Sequence, residues 1–461
     1  MSRPAPAWGV FLFFACLYAL SLGRGFYSSD GEVMFQTAAA LASRGALDLP
    51  PDPALPQIVA GQNGRFYSKY EPGLPLLAVP FYAAGDRLAA INAAHRTQLA
   101  ATAVLLLPAL AGAGALAALY RLARRWAGSG HAVTVALAAG LATPLWPYSR
   151  MLFAEAVLAC ALTGSVALIL SGPPRARRLA GAGAIFGLGV LVRASLAIYV
   201  LPLAWLLART GPGRGARSVG VRWAVFGLGV LPFAAGVLAH NVLRFGALWR
   251  FGYMGEGFAT PPLEGVAGLL LSPGKSVLLY APPLILAVWL GPRFARRQPG
   301  MAGFLVLAWI VALGFYGTWW AWHGGWSWGP RLLVPLLPLS CLPLSTLPDG
   351  RCWRAAAAGL IVLGAAINAS GVLTDPVAAY TQASDANATD YNRLHWTPGA
   401  TPLAVAVERA FAGQTEPLAL FHLAGSGLPR TWTVGVPLAA LVGMALGGWA
   451  MMRPLRRGRA P

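Results

Sequence analysis

The sequence predicts an all-α fold: a polytopic membrane bundle of about 12 transmembrane helices, with interfacial helices in a long first external loop. Three observations carry this expectation. The 461-residue chain is 57% hydrophobic and 11% charged, with a mean hydropathy of +0.59, whereas soluble domains are about one quarter charged. Apolar runs long enough to span a bilayer recur along its whole length. The positive charge gathers in alternate connecting loops, so the net charge of +20 reads as a topology signal and not as a nucleic-acid footprint.

Taken in order, the runs fall near 8–25, 97–119, 131–148, 151–170, 179–192, 195–208, 223–242, 276–291, 301–318, 331–347, 355–373 and 431–451. The first, WGVFLFFACLYALSL, has only Arg3 before it and no small-residue cleavage site after it, and so reads as a retained signal anchor. With the N-terminus inside, the cytoplasmic loops hold YRLARRW, PPRARR, RTGPGRGARSVGVR, PRFARR, DGRCWR and RPLRRGR. These loops and the N-terminal tail take 20 of the 33 arginines but only Asp349 of the fifteen acids, which sets the orientation.

Segment 72–92 is apolar, yet counting it as a crossing would reverse every later loop. It carries three prolines and then Asp86 and Arg87, so it is placed as an interfacial helix on the external side. Residues 1–345 then form one module with external loops 26–96, 243–275 and 319–330. Residues 346–461 add C-terminal spans around an external stretch, 374–430. Cys16, Cys160, Cys341 and Cys352 lie in or beside apolar runs without a CxxC pair, so neither a disulfide framework nor a zinc site is expected.

Four external clusters could carry chemistry. In SSDGE, Asp30 and Glu32 suit either a general base or cation ligand, or the capped start of a helix at Gly31. In GRFYSKYEPGLPLL, Lys69 between Tyr67 and Tyr70, followed by Glu71, suits a phosphate at headgroup level or an aromatic-belt anchor. Lys275, in LSPGKSVLLY, stands directly before a span, where helix N–H groups favour an anion. The upstream glycine spacing of a P-loop is absent.

The fourth cluster is TWWAWHGGWSWGPRLLVPLLP, in which Trp319, Trp320, Trp322, Trp326 and Trp328 surround His323 and precede Arg331. Indole faces stack on sugar rings, and the guanidinium suits a phosphate. His323 alone reads as a satisfied loop histidine. Of the charges within runs, Glu155 is expected to pair with Arg150 in a structural role, and Arg193 lies near the external end of its run.

In order and sidedness, these segments resemble the C-type membrane glycosyltransferases that use polyprenyl-phosphate sugars. The likeness is to the bacterial protein O-mannosyltransferase-like and aminoarabinose-transferase-like branch. KYEPGLPLL is similar to the Lys-Pro-Pro-Leu segment of that branch, and GGWSWGPRLLVPLLP looks like a motif of its bacterial members. The resemblance implies an external active site in the membrane of a bacterial cell, inversion at the sugar carbon, and a lipid-linked donor. It also implies a glycan, lipid or protein acceptor. It places Asp30 as general base and Lys69 and Arg331 on the donor phosphate. Gly31 interrupts the usual Asp-Glu pair, so Glu32 is left as a supporting or cation-binding residue, and a divalent metal as an open option.

The same residues make mechanistic sense. A lipid-phosphate sugar carries its own leaving group, so basic residues must stabilise the phosphate as charge develops, which suits Arg331 with Lys69 or Lys275. Asp30 would deprotonate the acceptor. Tyr67, Tyr70 and Glu71 with Trp322, His323, Trp326 and Trp328 would meet the sugar or acceptor. A transporter of a lipid-linked glycan should show internal repeats and midplane charges, which this chain lacks. A glycan ligase would need more basic residues in one external loop.

Overall fold

In the computed structural model, residues 7–88, 90, 93–211, 213, 215–385, 391–416, 418 and 429–457 are described. Each expected run falls on helix. Among the described residues, five helices are long and apolar enough to cross a membrane: Ala93–Ala123, Ala216–Phe245, Pro299–Thr318, Arg351–Leu373 and Thr433–Arg453. Shorter apolar helices include Ala7–Leu20, Ser129–Leu141, Glu155–Ile169, Ala194–Arg209 and Arg331–Thr346. The helical fold is therefore as expected, while by length and composition five helices, not twelve, reach the spanning threshold. Several runs are broken internally: run 331–347 is a series of 3₁₀ and α turns interrupted by Pro335, Pro338 and Pro343, which cannot donate to a helical ladder.

Close helix contacts use small residues, as expected where lipid offers no hydrophobic drive between helices. The first and last helices meet at Gly9 and Gly447, where an added Cβ would lie 2.8 Å from Ala450 Cβ and 2.5 Å from Phe13 N respectively. Helices Ala176–Val192 and Ala216–Phe245 cross at Gly183 and Gly229, each within about 2 Å of the other's backbone carbonyl oxygen when given a Cβ.

The first loop is more structured than expected. Helix Ser29–Arg44 leads into a three-stranded antiparallel sheet in which β3 (Phe66–Ser68) lies between β1 (Asp48–Leu49) and β2 (Ile58–Ala60). Helix Gly73–Leu88 follows on the expected interfacial segment; residues 89, 91 and 92 of that segment lie outside the described residues. Gly73 is pressed against the backbone of Leu191 and Val192, which docks this helix on the bundle. The middle loop holds one further apolar helix, Pro262–Leu271. Of stretch 374–430, residues 386–390, 417 and 419–428 lie outside the described residues.

Candidate active site

The helix cap and the chemistry of SSDGE are divided between two residues. Ser28, in extended backbone, caps helix Ser29–Arg44 by accepting from Gly31 N. Asp30 in the first turn is thereby free to face inward. Its Oδ2 lies 2.9 Å from Arg331 NH1, while Oδ1 accepts from the Tyr70 hydroxyl at 2.5 Å and from Gln57 Nε2 at 3.2 Å. Burial raises the carboxyl's pKa, but Arg331 and the Tyr70 hydroxyl more than reverse this and hold Asp30 below the usual carboxylate range. Its side chain keeps 17% exposure.

Arg331 opens the broken helix that follows Gly329, a glycine in left-handed backbone. Its Nε donates to Glu155 Oε1 at 2.8 Å, and the guanidinium lies 4.1 Å from the Phe153 ring centroid. The same Glu155 oxygen accepts from Arg193 NH1 at 2.7 Å. Asp30, Arg331, Glu155 and Arg193 thus form one alternating chain of charge drawn from four separate segments. The expected Glu155–Arg150 pair is not formed. Arg150 instead donates to the carbonyls of Ser21 and Gly371 and to the Tyr27 hydroxyl, tying the first helix to the bundle. Sequence reasoning missed the Glu155–Arg193 pairing. The signal available was an acid and a base at the same membrane boundary, which in low dielectric seek each other.

Lys69 lies one residue from Tyr70 on the other side of this chain. Its Nζ is 2.6 Å from Glu256 Oε1 and 5.4 Å from the ring centroids of both Tyr70 and Tyr253. The second Glu256 oxygen accepts from Trp320 Nε1 at 3.1 Å. Loop 246–261 is folded tightly onto Lys69, since a Cβ on Gly252 would lie 2.3 Å from its carbonyl oxygen. Glu256 was not anticipated.

The remaining expected residues divide. Lys275, Trp322, His323 and Trp326 share an adjoining cluster. Glu71 is buried with Oε2 lacking a partner, and burial raises its carboxyl pKa. Glu32 accepts from Gln36 along its own helix, Tyr67 packs against Gly61 in the sheet, and buried Trp328 donates to Asn368. None of these last three touches Asp30 or Arg331 through a contact seen here. Among the described residues, no three His, Cys, Asp or Glu side chains gather so as to hold a metal ion. Asp30 and Glu155 are both turned to Arg331, an arrangement that suits a guanidinium and not a dication.

Residues 66–240 match the family model of dolichyl-phosphate-mannose-protein mannosyltransferases. Among solved structures, ArnT from Cupriavidus metallidurans in the apo state aligns with a TM-score of 0.52 at 16% identity, over 96% of this chain and 76% of ArnT. ArnT bound to undecaprenyl phosphate gives 0.53 at 16% identity, over 97% and 76%. The apo oligosaccharyltransferase of Archaeoglobus fulgidus gives 0.44 at 13% identity, over 96% and 55%. Among curated proteins no match is found.

Proposed function

We propose, for a chain with the fold of the C-type membrane glycosyltransferases and a mannosyltransferase-family segment, that it moves a sugar from a polyprenyl-phosphate donor to an acceptor hydroxyl or comparable nucleophile. The family-model match and the whole-chain fold bear out the resemblance read from the sequence. The reading rests above all on Asp30, Arg331 and Tyr70 meeting within hydrogen-bond distance at one partly open site.

In this reading the acceptor oxygen attacks the anomeric carbon as the bond to the phosphate oxygen breaks, and the electron pair leaves with the phosphate. Asp30 takes the acceptor proton. Its depressed pKa keeps it ionised at neutral pH, and the Tyr70 hydroxyl fixes the direction of its carboxylate. Arg331 has five N–H donors, of which those to Glu155, Gly324 and Asp30 are committed, so two remain for a phosphate oxygen. Glu155 and Arg193 act as positioning residues that hold the guanidinium in place. Lys69 supplies a second positive charge once the phosphate displaces Glu256. Attack opposite the leaving phosphate inverts the sugar carbon.

The arginine pattern supports an external site with both termini in the cytoplasm, and the family resemblance implies a bacterial plasma membrane. The full-length protein in proteoliposomes, supplied with radiolabelled polyprenyl-phosphate sugars, tests the reading. Movement of label from the carrier lipid to an acceptor is expected, with the anomeric carbon of the transferred sugar inverted. A protein that only moves the intact lipid-linked sugar across the bilayer would refute it.

A further inference from the structure

The site described above is balanced in charge: Arg331 and Arg193 face Asp30 and Glu155, and Lys69 faces Glu256. Lys275 is different. Its side chain is fully buried, and among the described residues it has no carboxylate within ion-pair distance. Nζ donates to the Ser327 carbonyl at 2.8 Å and to Ser327 Oγ at 2.9 Å, which leaves one N–H when the amine is protonated, and it lies 5.4 Å from the Tyr380 ring centroid.

Two histidines stand beside this lysine. His395 is fully buried and neither ring nitrogen has a hydrogen-bond partner. His323 lies against it with ring centroids 4.6 Å apart and the ring planes tilted by 33°. His323 Nδ1 accepts from Gly325 N, which assigns its proton to Nε2. Burial, then the nearby Lys275, push His323 down to about 3 and His395 to about 2, so both rings are neutral and each carries one N–H. Trp326, 37% exposed and stacked on Tyr380, forms the outer wall.

The cluster is assembled with care from three distant segments. Gly274 N donates to the His395 carbonyl at 3.0 Å, and a Cβ at 274 would lie 2.9 Å from His395 Cα. Burial, then Arg331, push the Lys275 amine well below the usual lysine range, so it holds a full charge only against an anion, and a joint needed only for packing would do better with a leucine or methionine there. A lysine with a spare N–H beside two buried imidazoles is the donor set of an oxyanion site.

We infer that Lys275, His323 and His395 form a second anion subsite, separate from the donor-phosphate position, for a phosphate or carboxylate carried by the acceptor or by the transferred sugar. Trp326 supplies the aromatic face against which the attached sugar ring would stack. The inference rests on the glycosyltransferase reading for the identity of the two substrates, but the subsite itself is tested without turnover.

The test uses the full-length protein in phosphatidylcholine nanodiscs saturated with undecaprenyl phosphate, titrated with inorganic phosphate and followed by tryptophan fluorescence, since Trp322 and Trp326 line the cluster. Phosphate should still bind, and Lys275→Met should weaken that binding by about tenfold or more. The same variant should hold undecaprenyl phosphate within about threefold and melt no lower than the parent, since an apolar side chain replaces an amine whose charge burial opposes. Unchanged phosphate binding in Lys275→Met, or one-for-one competition between inorganic phosphate and undecaprenyl phosphate, would overturn the subsite. Failure of undecaprenyl phosphate to bind the parent would instead strike the donor reading. In turnover, Lys275→Met should raise KM for the acceptor if the acceptor bears the anion, and KM for the donor if the sugar does.

Discussion

Arg331 and Asp30, three hundred residues apart in the chain, sit 2.9 Å from each other as guanidinium and carboxylate. In the proposed reaction one arginine would therefore both position the base and face the leaving group. Arg331→Lys keeps the charge but loses the planar fork that reaches Asp30 and Glu155 together. Transfer should fall about a hundred- to a thousand-fold, with the protein still inserted. The rate of the purified variant against its parent checks this.

Glu155 holds two guanidiniums through one oxygen. Glu155→Ala would leave Arg331 and Arg193 without it, at a cost of about 3–5 kcal/mol for a broken buried pair. A clear fall in melting temperature in detergent is expected. Asp30→Ala, which leaves Arg331 still paired to Glu155, should lower it less. Equal melting temperatures for the parent and Glu155→Ala would show that the charge chain does not support the fold.

Glu256 pairs with Lys69, the cation that the proposed reaction offers to the donor phosphate. Glu256→Gln removes the competing charge while retaining a carbonyl for Trp320. It should lower KM for the donor several-fold with kcat little changed. A raised KM would mean that Glu256 contacts substrate directly, and steady-state kinetics separates the two.

Two carboxyls should respond to pH in opposite senses. Asp30 has a folded pKa below its unfolded value, so its contribution to stability is present above the unfolded pKa, near 4, and is lost as pH falls through the folded one. Glu71 has a raised folded pKa, so its contribution is present below the unfolded value and is lost as pH rises through the folded one. Glu71→Gln should therefore raise the melting temperature at pH 7 and lose that advantage near pH 4. Melting curves at the two pH values decide it.

The helical architecture was legible because a bilayer demands long apolar runs and sorts arginine by side, and both marks are written locally. The same sidedness brought Asp30, Lys69, Tyr70 and Arg331 into one account before any geometry. What stayed hidden depends on which segments meet. Glu155 looked paired to its sequence neighbour Arg150, whereas low dielectric drew it to Arg193 and Arg331 on other segments. Glu256 sits in a loop and His395 in the short helix Tyr391–Trp396, neither with a periodic apolar pattern, so nothing local announced that they close over Lys69 and Lys275. Prolines shortened several crossings, since hydropathy counts side chains and not backbone donors.

The central claim is that Asp30 is the base, and the most direct measurement is transfer by Asp30→Asn in proteoliposomes. Asparagine keeps an acceptor for Tyr70 but cannot take a proton. The account predicts that transfer falls about a hundred- to ten-thousand-fold, while undecaprenyl phosphate still binds. Transfer at the parental rate would contradict it.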